Sequence, residues 1–221
     1  MIQGMNLSKS YANIMGLNIT LCEGMTCVVG ESGSSKSTLF SMLSGLLTPD
    51  SGAVYFNGKN IYTSDSECEA FRLAHCGYIF QSDCLFGALT ALENVATPLR
   101  WGFGLKWSES RKRAQAALDD VGMLNYSDKR PCMLSGGQRQ RVSIARALAK
   151  RPTIIWGDEI TSALDSTNAL KIFTLIRNIT KTSVLVTHDQ KLAKLASRVI
   201  TMQDGKISDD TYDNKKEVLC L

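Results

Sequence analysis

Residues 30–38 read GESGSSKST. A glycine-rich turn that feeds a helix aims several backbone N–H groups at one point, and the helix dipole favours an anion there. Lys36 adds a full charge, and the hydroxyl of Ser37 can ligate Mg²⁺. Gly30, Ser32, Gly33, Ser34, Ser35, Lys36, Ser37 and Thr38 therefore have the makings of a phosphate cradle. One position departs from the G-x-x-x-x-G-K-[ST] spacing: Ser35 stands where the second glycine is expected. If that position needs φ above zero, a side chain there costs on the order of 1–2 kcal/mol, about tenfold in affinity. Read alone, the stretch also fits a surface loop rich in serine and glycine.

A second candidate is TIIWGDE, an apolar run that ends in Asp158 and Glu159. A carboxylate at the C-terminal end of a strand in an open parallel sheet sits on the rim where ligands bind. From there Asp158 can hold Mg²⁺ through water while Glu159 polarises an attacking water. Acidic pairs also close strands as solvated edges, so this pair takes its meaning from its neighbours.

The elements that must position these residues follow from the apolar pattern. Short β-branched runs (TCVVG, TIIWG, SVLVT) alternate with longer helical patterns, which predicts an α/β protein with a largely parallel, buried sheet. MTCVVG is expected as a strand running into the phosphate loop, KSTLFSMLSGLL as the helix after it, and DSGAVYFNG as a strand with an Asn57-Gly58 turn. From about Gln81 to Arg151 the pattern turns helical, clearest in SESRKRAQAALDDVGM and GQRQRVSIARALAKR, before the strand pattern resumes. A helical insert within a nucleotide-binding core accounts for this order.

Bulk properties narrow the function class. The 221 residues carry 25 basic and 21 acidic groups, a net charge of +4 spread along the chain, which argues against nucleic acid as partner. No apolar run approaches the roughly 18 residues of a membrane span, and no secretory signal opens the chain, so the expected location is cytoplasmic. The seven cysteines form no C-x-x-C pair and are expected as reduced, structural thiols. His75 is expected at the surface, and the terminal stretch DDTYDNKKEVLCL carries no signal.

Leu134-Ser135-Gly136-Gly137-Gln138 is identical to the signature motif of ABC-type ATPases, and its neighbours fall in that family's order. These are Gln81 in YIFQSD, the Asp158-Glu159 pair, SALD at 162–165 and His188 in LVTHD. The resemblance covers roughly residues 5–207. It implies one ABC ATPase domain over 1–221: a P-loop α/β fold with a mostly parallel core sheet, an antiparallel β region and an inserted helical subdomain. In it, 1–81 and 152–221 form the ATP-binding core and 82–151 the helical subdomain with the signature.

The resemblance further implies Glu159 as general base or water-orienting carboxylate and His188 as the switch residue near the γ-phosphate. Gln81 becomes a sensor touching Mg²⁺ and the attacking water, with Ser37 and Asp158 completing the metal set. Tyr11, in SKSYANIM, resembles the aromatic residue that stacks on adenine; an ordinary surface tyrosine is the competing reading. Ser135, Gly136, Gly137 and Gln138, with Asp165, belong to a half-site for ATP held by a second copy. Two glycines let a phosphate approach backbone N–H groups at a helix start, which suits that role.

The implied cofactors are ATP and Mg²⁺, and the implied partners a second ATPase subunit and a transmembrane permease, placing the chain on the inner face of the membrane. LTALENVATPLRWG and FRLAHCGYIFQ look most like the branch of lipoprotein-release, macrolide-export and antimicrobial-peptide-resistance transporters. Leu85, Phe86, Leu99, Trp101 and Phe103 are divided between core packing and a groove for the permease. GDEIT replaces the family's usual A-D-E-P-T, so Ile160 takes the place of a φ-fixing proline, and a less rigid following loop is expected. The competing functions are regulation of a membrane protein that controls cell-wall hydrolysis in division, and a degenerate structural module.

Overall fold

The computed structural model describes residues 1–162 and 164–212; Ala163 of SALD and the tail 213–221, with Cys220, lie outside the described residues. Two sheets form the frame. Strands β1 (Ile2–Lys9), β2 (Ile14–Leu21), β4 (Ser51–Phe56) and β5 (Lys59–Asn60) make an antiparallel sheet in the order β2-β1-β4-β5. Strands β3 (Gly24–Val29), β6 (Cys76–Ile79), β7 (Ile154–Asp158), β8 (Thr182–Val186), β9 (Arg198–Gln203) and β10 (Lys206–Tyr212) make the second, in the order β10-β9-β3-β8-β7-β6. Its five strands from β9 to β6 are parallel, and β10 is an antiparallel edge.

The apolar runs are continuous because this sheet is covered on both faces. Side chains alternate across it. Cys27, Ile155 and Leu185 pack with the helices α3 (Ala91–Gly102), α4 (Trp107–Asp120), α5 (Gly136–Ala149) and α6 (Ser166–Ile179). Val28, Ile154, Trp156, Val184 and Val186 pack on the other side, with α1 (Lys36–Leu43) and the antiparallel sheet. The remaining helices are α2 (Asp65–His75) and the short α7 (Gln190–Ala193).

Several sequence expectations are corrected. Helix α1 stops at Leu43, because Gly45 takes φ +81 and its N–H and that of Leu46 return to the carbonyls of Met42 and Ser41. That is a Schellman ending, closing the helix before Leu47. The first four residues of DDTYDNKKEVLCL, a stretch expected to carry no signal, belong to β10; as an exposed edge it needs no apolar pattern. His75 is half-buried, its ring packed on Phe56 and Phe71 and its Nδ1 3.2 Å from Thr153 Oγ1. Burial lowers its pKa.

Cys22 is disulfide-bonded, which overturns the reduced-thiol expectation for that residue; spacing along the chain carries no information on cysteines that folding brings together. Cys27, Cys68, Cys76, Cys84 and Cys132 are free. Burial pushes the Cys27 thiol up to about 12 and Cys76 to about 11, so both stay protonated and unreactive. Among the described residues no helix is long and apolar enough to cross a membrane.

Phe173, 1% exposed, is the largest α6 side chain in the core beneath the parallel sheet. Truncation to alanine should cost about 3–5 kcal/mol, read as a lowered urea midpoint with an unchanged slope. A loss under about 1 kcal/mol would mean that α6 is not integral to this core.

Candidate nucleotide site

Strand β3 delivers the chain to Gly30, where φ is +147 and a Cβ would lie 2.2 Å from the Met202 carbonyl oxygen, so no side chain fits. The loop turns through Gly33 at φ +85 and enters α1 through Ser35 at φ +72, ψ +21. The left-handed backbone expected at the missing glycine is therefore present, held by a residue that has a Cβ. The Ser35 hydroxyl donates to the Ala12 carbonyl at 2.6 Å.

Lys36 is 6% exposed, and its ammonium donates to the carbonyls of Gly30 (2.9 Å) and Glu31 (2.6 Å) and to Ser34 Oγ (3.2 Å). Burial lowers its pKa, opposed by the nearby Glu159 and Asp158 charges.

Tyr11, Ser32, Gly33, Ser35, Lys36, Ser37, Thr38, Gln81, Asp158, Glu159 and His188 line one open cleft of about 630 Å³. The size suits a nucleotide, since ligand pockets run about 300–1,000 Å³. Gly30 and Ser34 line an adjoining cavity of about 650 Å³ that shares Ser32, Gly33 and His188 with the first. Sequence reading missed Ala12 and Val186 on the cleft wall, which also includes Ser162, the first residue of SALD. Nothing in their types signals a ligand; the fold alone brings them there.

Asp158 closes β7, with the Ser37 side chain close enough to its carboxylate to favour the charged form. Glu159 follows in a left-handed conformation at φ +49, its N–H donating to the Val186 carbonyl at 3.0 Å. His188 Nε2 stands 3.0 Å from Glu159 Oε1, with an alignment that falls short of a hydrogen bond. Oε1 is thus a buried acceptor without a hydrogen-bond donor, which fits a carboxylate that receives a proton from water.

Burial raises the pKa of both carboxyl groups. At Asp158 the Ser37 side chain and Lys36 oppose it; at Glu159 His188 opposes it and Asp158 reinforces it. The hydroxyl of Ser37, the carboxylate of Asp158 and the amide of Gln81 are hard oxygen donors on one wall, a set that fits Mg²⁺ with phosphate oxygens and water completing its shell.

Tyr11 sits on a one-turn 3-10 segment, Ser10–Ala12, with its side chain exposed and Lys9 Nζ 5.7 Å from its ring centre. Asp50 pins this turn, a role its place in a turn-forming stretch did not reveal. It pairs with Lys9 at 2.6 Å and accepts from Ser10 N (2.9 Å) and Oγ (3.1 Å). These bonds, Lys9 first, hold the Asp50 carboxyl down at about 2.

The signature lies elsewhere. Ser135 caps α5 in a reciprocal box: its Oγ accepts from Gln138 N at 3.3 Å, and Gln138 Oε1 accepts from Ser135 N at 2.8 Å. Ser135, Gly136, Gly137 and Gln138 do not line the cleft, and neither does Asp165, which caps α6 by accepting from Asn168 N at 2.9 Å. Behind the signature, α5 grips the Gln81 segment. Gln140 donates to Phe80 O, Arg139 pairs with Asp83 at 2.8 Å, and Arg146 donates to the carbonyls of Asp83 and Cys84.

Ile160 stands where the family has its proline. It is 1% exposed, with its side chain in the core. Gly157 makes room for it: a Cβ there would lie 2.7 Å from both Ile160 Cγ2 and Leu185 Cδ2.

A parallel sheet whose central strand feeds a lysine-bearing loop, with two carboxylates closing a nearby strand, defines a P-loop nucleotide-binding protein. Residues 14–162 match the family model described as ABC transporter. An uncharacterised ABC transporter ATP-binding protein of Methanocaldococcus jannaschii is 39% identical over 219 residues, covering 94% of this chain and 97% of its own. The lipoprotein-releasing system ATP-binding protein LolD of Psychrobacter arcticus is 39% identical over 217 residues, covering 92% and 96%. A dimeric ATP-binding cassette solved in a post-hydrolysis state with ADP and Pi superposes with a TM-score of 0.89 at 35% identity, covering 96% of this chain and 98% of that one. The chain belongs to the ABC transporter family as an ATP-binding subunit, and it is an ATPase.

Gly157→Ala should cost about 1–3 kcal/mol of stability in urea unfolding, the usual penalty of overpacking; an unchanged midpoint would show that Ile160 yields freely. A second expectation comes from the raised carboxyl pKa values. The native state holds these protons more tightly than the unfolded chain, so the charged pair costs stability above its raised values, and that cost fades as pH falls toward the unfolded values near about 4. Glu159→Gln should therefore raise the melting temperature of the nucleotide-free chain by a few degrees at pH 7, with the gain shrinking on acidification. A lower melting temperature at pH 7 would contradict this electrostatic account.

Proposed function

We propose that the cleft binds Mg·ATP, that two copies close head to tail over two nucleotides, and that hydrolysis reopens them to drive a separate membrane permease. One observation carries this reading. Lys36, Ser37, Asp158, Glu159 and His188 converge on a single cleft, while Ser135 to Gln138 stand apart at the start of a different helix. A site whose second half lies off its own cleft is completed by another copy, and the similar cassette with ADP and Pi is dimeric.

In this arrangement the loop N–H groups and Lys36 take the β- and γ-phosphates, and Tyr11 offers its ring to adenine. Ser37, Gln81 and Asp158 would hold Mg²⁺, which would supply charge to offset that developing on the transferred phosphoryl group. Glu159 Oε1 accepts from the attacking water, with His188 beside it. Closure follows only if ATP binds the closed pair better than the open one; the signature helix supplies that difference because it meets the γ-phosphate in the closed pair alone. The functional units are 1–81 with 152–221 as the ATP-binding core and 82–151 as the helical subdomain.

Within that subdomain Leu99 is buried and Leu85 packs on the core, whereas Phe86, Trp101 and Phe103 are exposed. The exposed three are assigned to the permease contact, which holds the subunit at the inner face of the membrane. The likeness to LolD supports export or extraction of a lipoprotein, peptide or drug. The intact cleft wall and the left-handed backbone already adopted at Ser35 count against a degenerate module.

Glu159→Gln should slow hydrolysis and trap the closed pair: light scattering at saturating Mg·ATP should report a dimer that wild type forms only transiently. Persistent monomers would overturn the head-to-tail model.

A further inference from the structure

Ser35 does something that a glycine in its place does not. Its backbone belongs to the phosphate loop, while its hydroxyl reaches out of the loop to the Ala12 carbonyl at 2.6 Å. Ala12 ends the 3-10 turn that carries Tyr11, so one residue joins the triphosphate end of the cleft to its base end. The turn is also held from behind. Gly205 runs so close that a Cβ there would lie 2.3 Å from Asn13 O and 2.9 Å from Ala12 O. On the far side Asp50 ties down Lys9 and Ser10.

Tyr11 itself is 71% exposed, with the Lys9 ammonium 5.7 Å from its ring centre, so the position of its ring depends on how firmly this turn is fixed. Asp50 and Gly205 fix the turn to the rest of the fold. Among the described residues the Ser35 bond is the one hydrogen bond that ties it to the phosphate loop.

We propose that Ser35 is a positioning residue for the base of the nucleotide: its hydroxyl locks the Tyr11 turn to the phosphate loop, so that stacking on a purine is set in register with the triphosphate. This rests on the ATP site proposed above. The left-handed strain at Ser35 is then the companion of a hydrogen bond that only a side chain at this position makes. Base recognition should depend on Ser35, and triphosphate recognition should not depend on its hydroxyl.

The test is calorimetric binding of Mg·ATP and of Mg·tripolyphosphate, which has no base, to the full chain and to Ser35→Ala, Ser35→Gly, Tyr11→Ala and the double variant Tyr11→Ala with Ser35→Ala. Ser35→Ala keeps the Cβ and loses only the hydroxyl. It should weaken ATP about three- to tenfold, the effect of one lost hydrogen bond, and leave tripolyphosphate within about twofold. Ser35→Gly should lose the same preference for ATP over tripolyphosphate while binding tripolyphosphate at least as tightly as wild type.

Without the Tyr11 ring, removing the hydroxyl should change ATP affinity less than about twofold, a coupling that a merely structural role would not produce. Parallel weakening of both ligands, an ATP-to-tripolyphosphate ratio unchanged in Ser35→Ala, or additive effects with Tyr11→Ala would overturn the proposal. A wild-type chain that binds tripolyphosphate but gains nothing from the base would overturn it while leaving the phosphate cradle standing. Binding of neither ligand would remove the nucleotide reading and this inference together.

Discussion

Lys36 carries its charge to a place that water scarcely reaches, and the carbonyls of Gly30 and Glu31 with the Ser34 hydroxyl stand in for the lost hydration. A buried ammonium is tolerated only with such acceptors around it, so the loop must fold back on its own lysine. That requirement fixes Gly30, whose position against the Met202 carbonyl admits no side chain, and it fixes the left-handed entry into α1 at Ser35. Asp158 and Glu159, themselves raised by burial, stand close enough to favour the lysine's charged form. The cleft is therefore a balance of desolvated charges of opposite sign, held apart by the parallel strands that bear them. An arriving triphosphate shifts that balance without rebuilding the frame.

The second dependence runs through α5. This helix begins with the signature and, one to three turns on, grips the Gln81 segment through Arg139, Gln140 and Arg146. Under the proposed closure its N-terminus meets a phosphate of the other copy while its flank holds the segment that carries Gln81 to the first copy's cleft. Asn94, fully buried, donates to the carbonyls of Phe86, Leu89 and Thr90 and accepts from Phe86 N, which fixes the loop that exposes Phe86. One rigid helix and one buried amide thus connect the nucleotide to the exposed aromatic surface through hydrogen bonds to backbone, whose geometry is less forgiving than side-chain packing.

The parallel strands were legible in the sequence because burial on both faces leaves unbroken apolar runs such as TIIWG and SVLVT. Lys36, Ser37, Asp158 and Glu159 could be singled out because they sit in short motifs next to those runs, and His188 through the family resemblance; the structure brings all five to one cleft. What escaped was set by contacts across the fold. The Ser35 bond to Ala12 spans 23 positions, the Asp50 bonds to Lys9 and Ser10 about 40, and nothing local marks either end. Strand β10 escaped for another reason: an edge strand at the surface carries SDD as readily as a loop does. The end of α1 was misjudged because Gly45 can be read as a tolerated helical glycine or as a stop, and only its φ distinguishes the two.

Both departures from the family pattern turn out to be halves of pairs. Ile160 replaces a proline, and Gly157, three residues earlier, supplies the space its Cγ2 occupies. Ser35 replaces a glycine, and the Ala12 carbonyl receives its hydroxyl. In each case the new side chain would be a defect by itself: a branched residue pressing on the strand, or a Cβ in a left-handed turn. In each case a neighbour that is remote in sequence or reduced to hydrogen turns it into a contact that the common residue does not make. Position-by-position matching against a motif counts these substitutions as losses because it sees one member of each pair. The physical question is whether the site keeps its shape, and here it does so by exchanging intrinsic backbone preference for packing at Ile160 and for a hydrogen bond at Ser35.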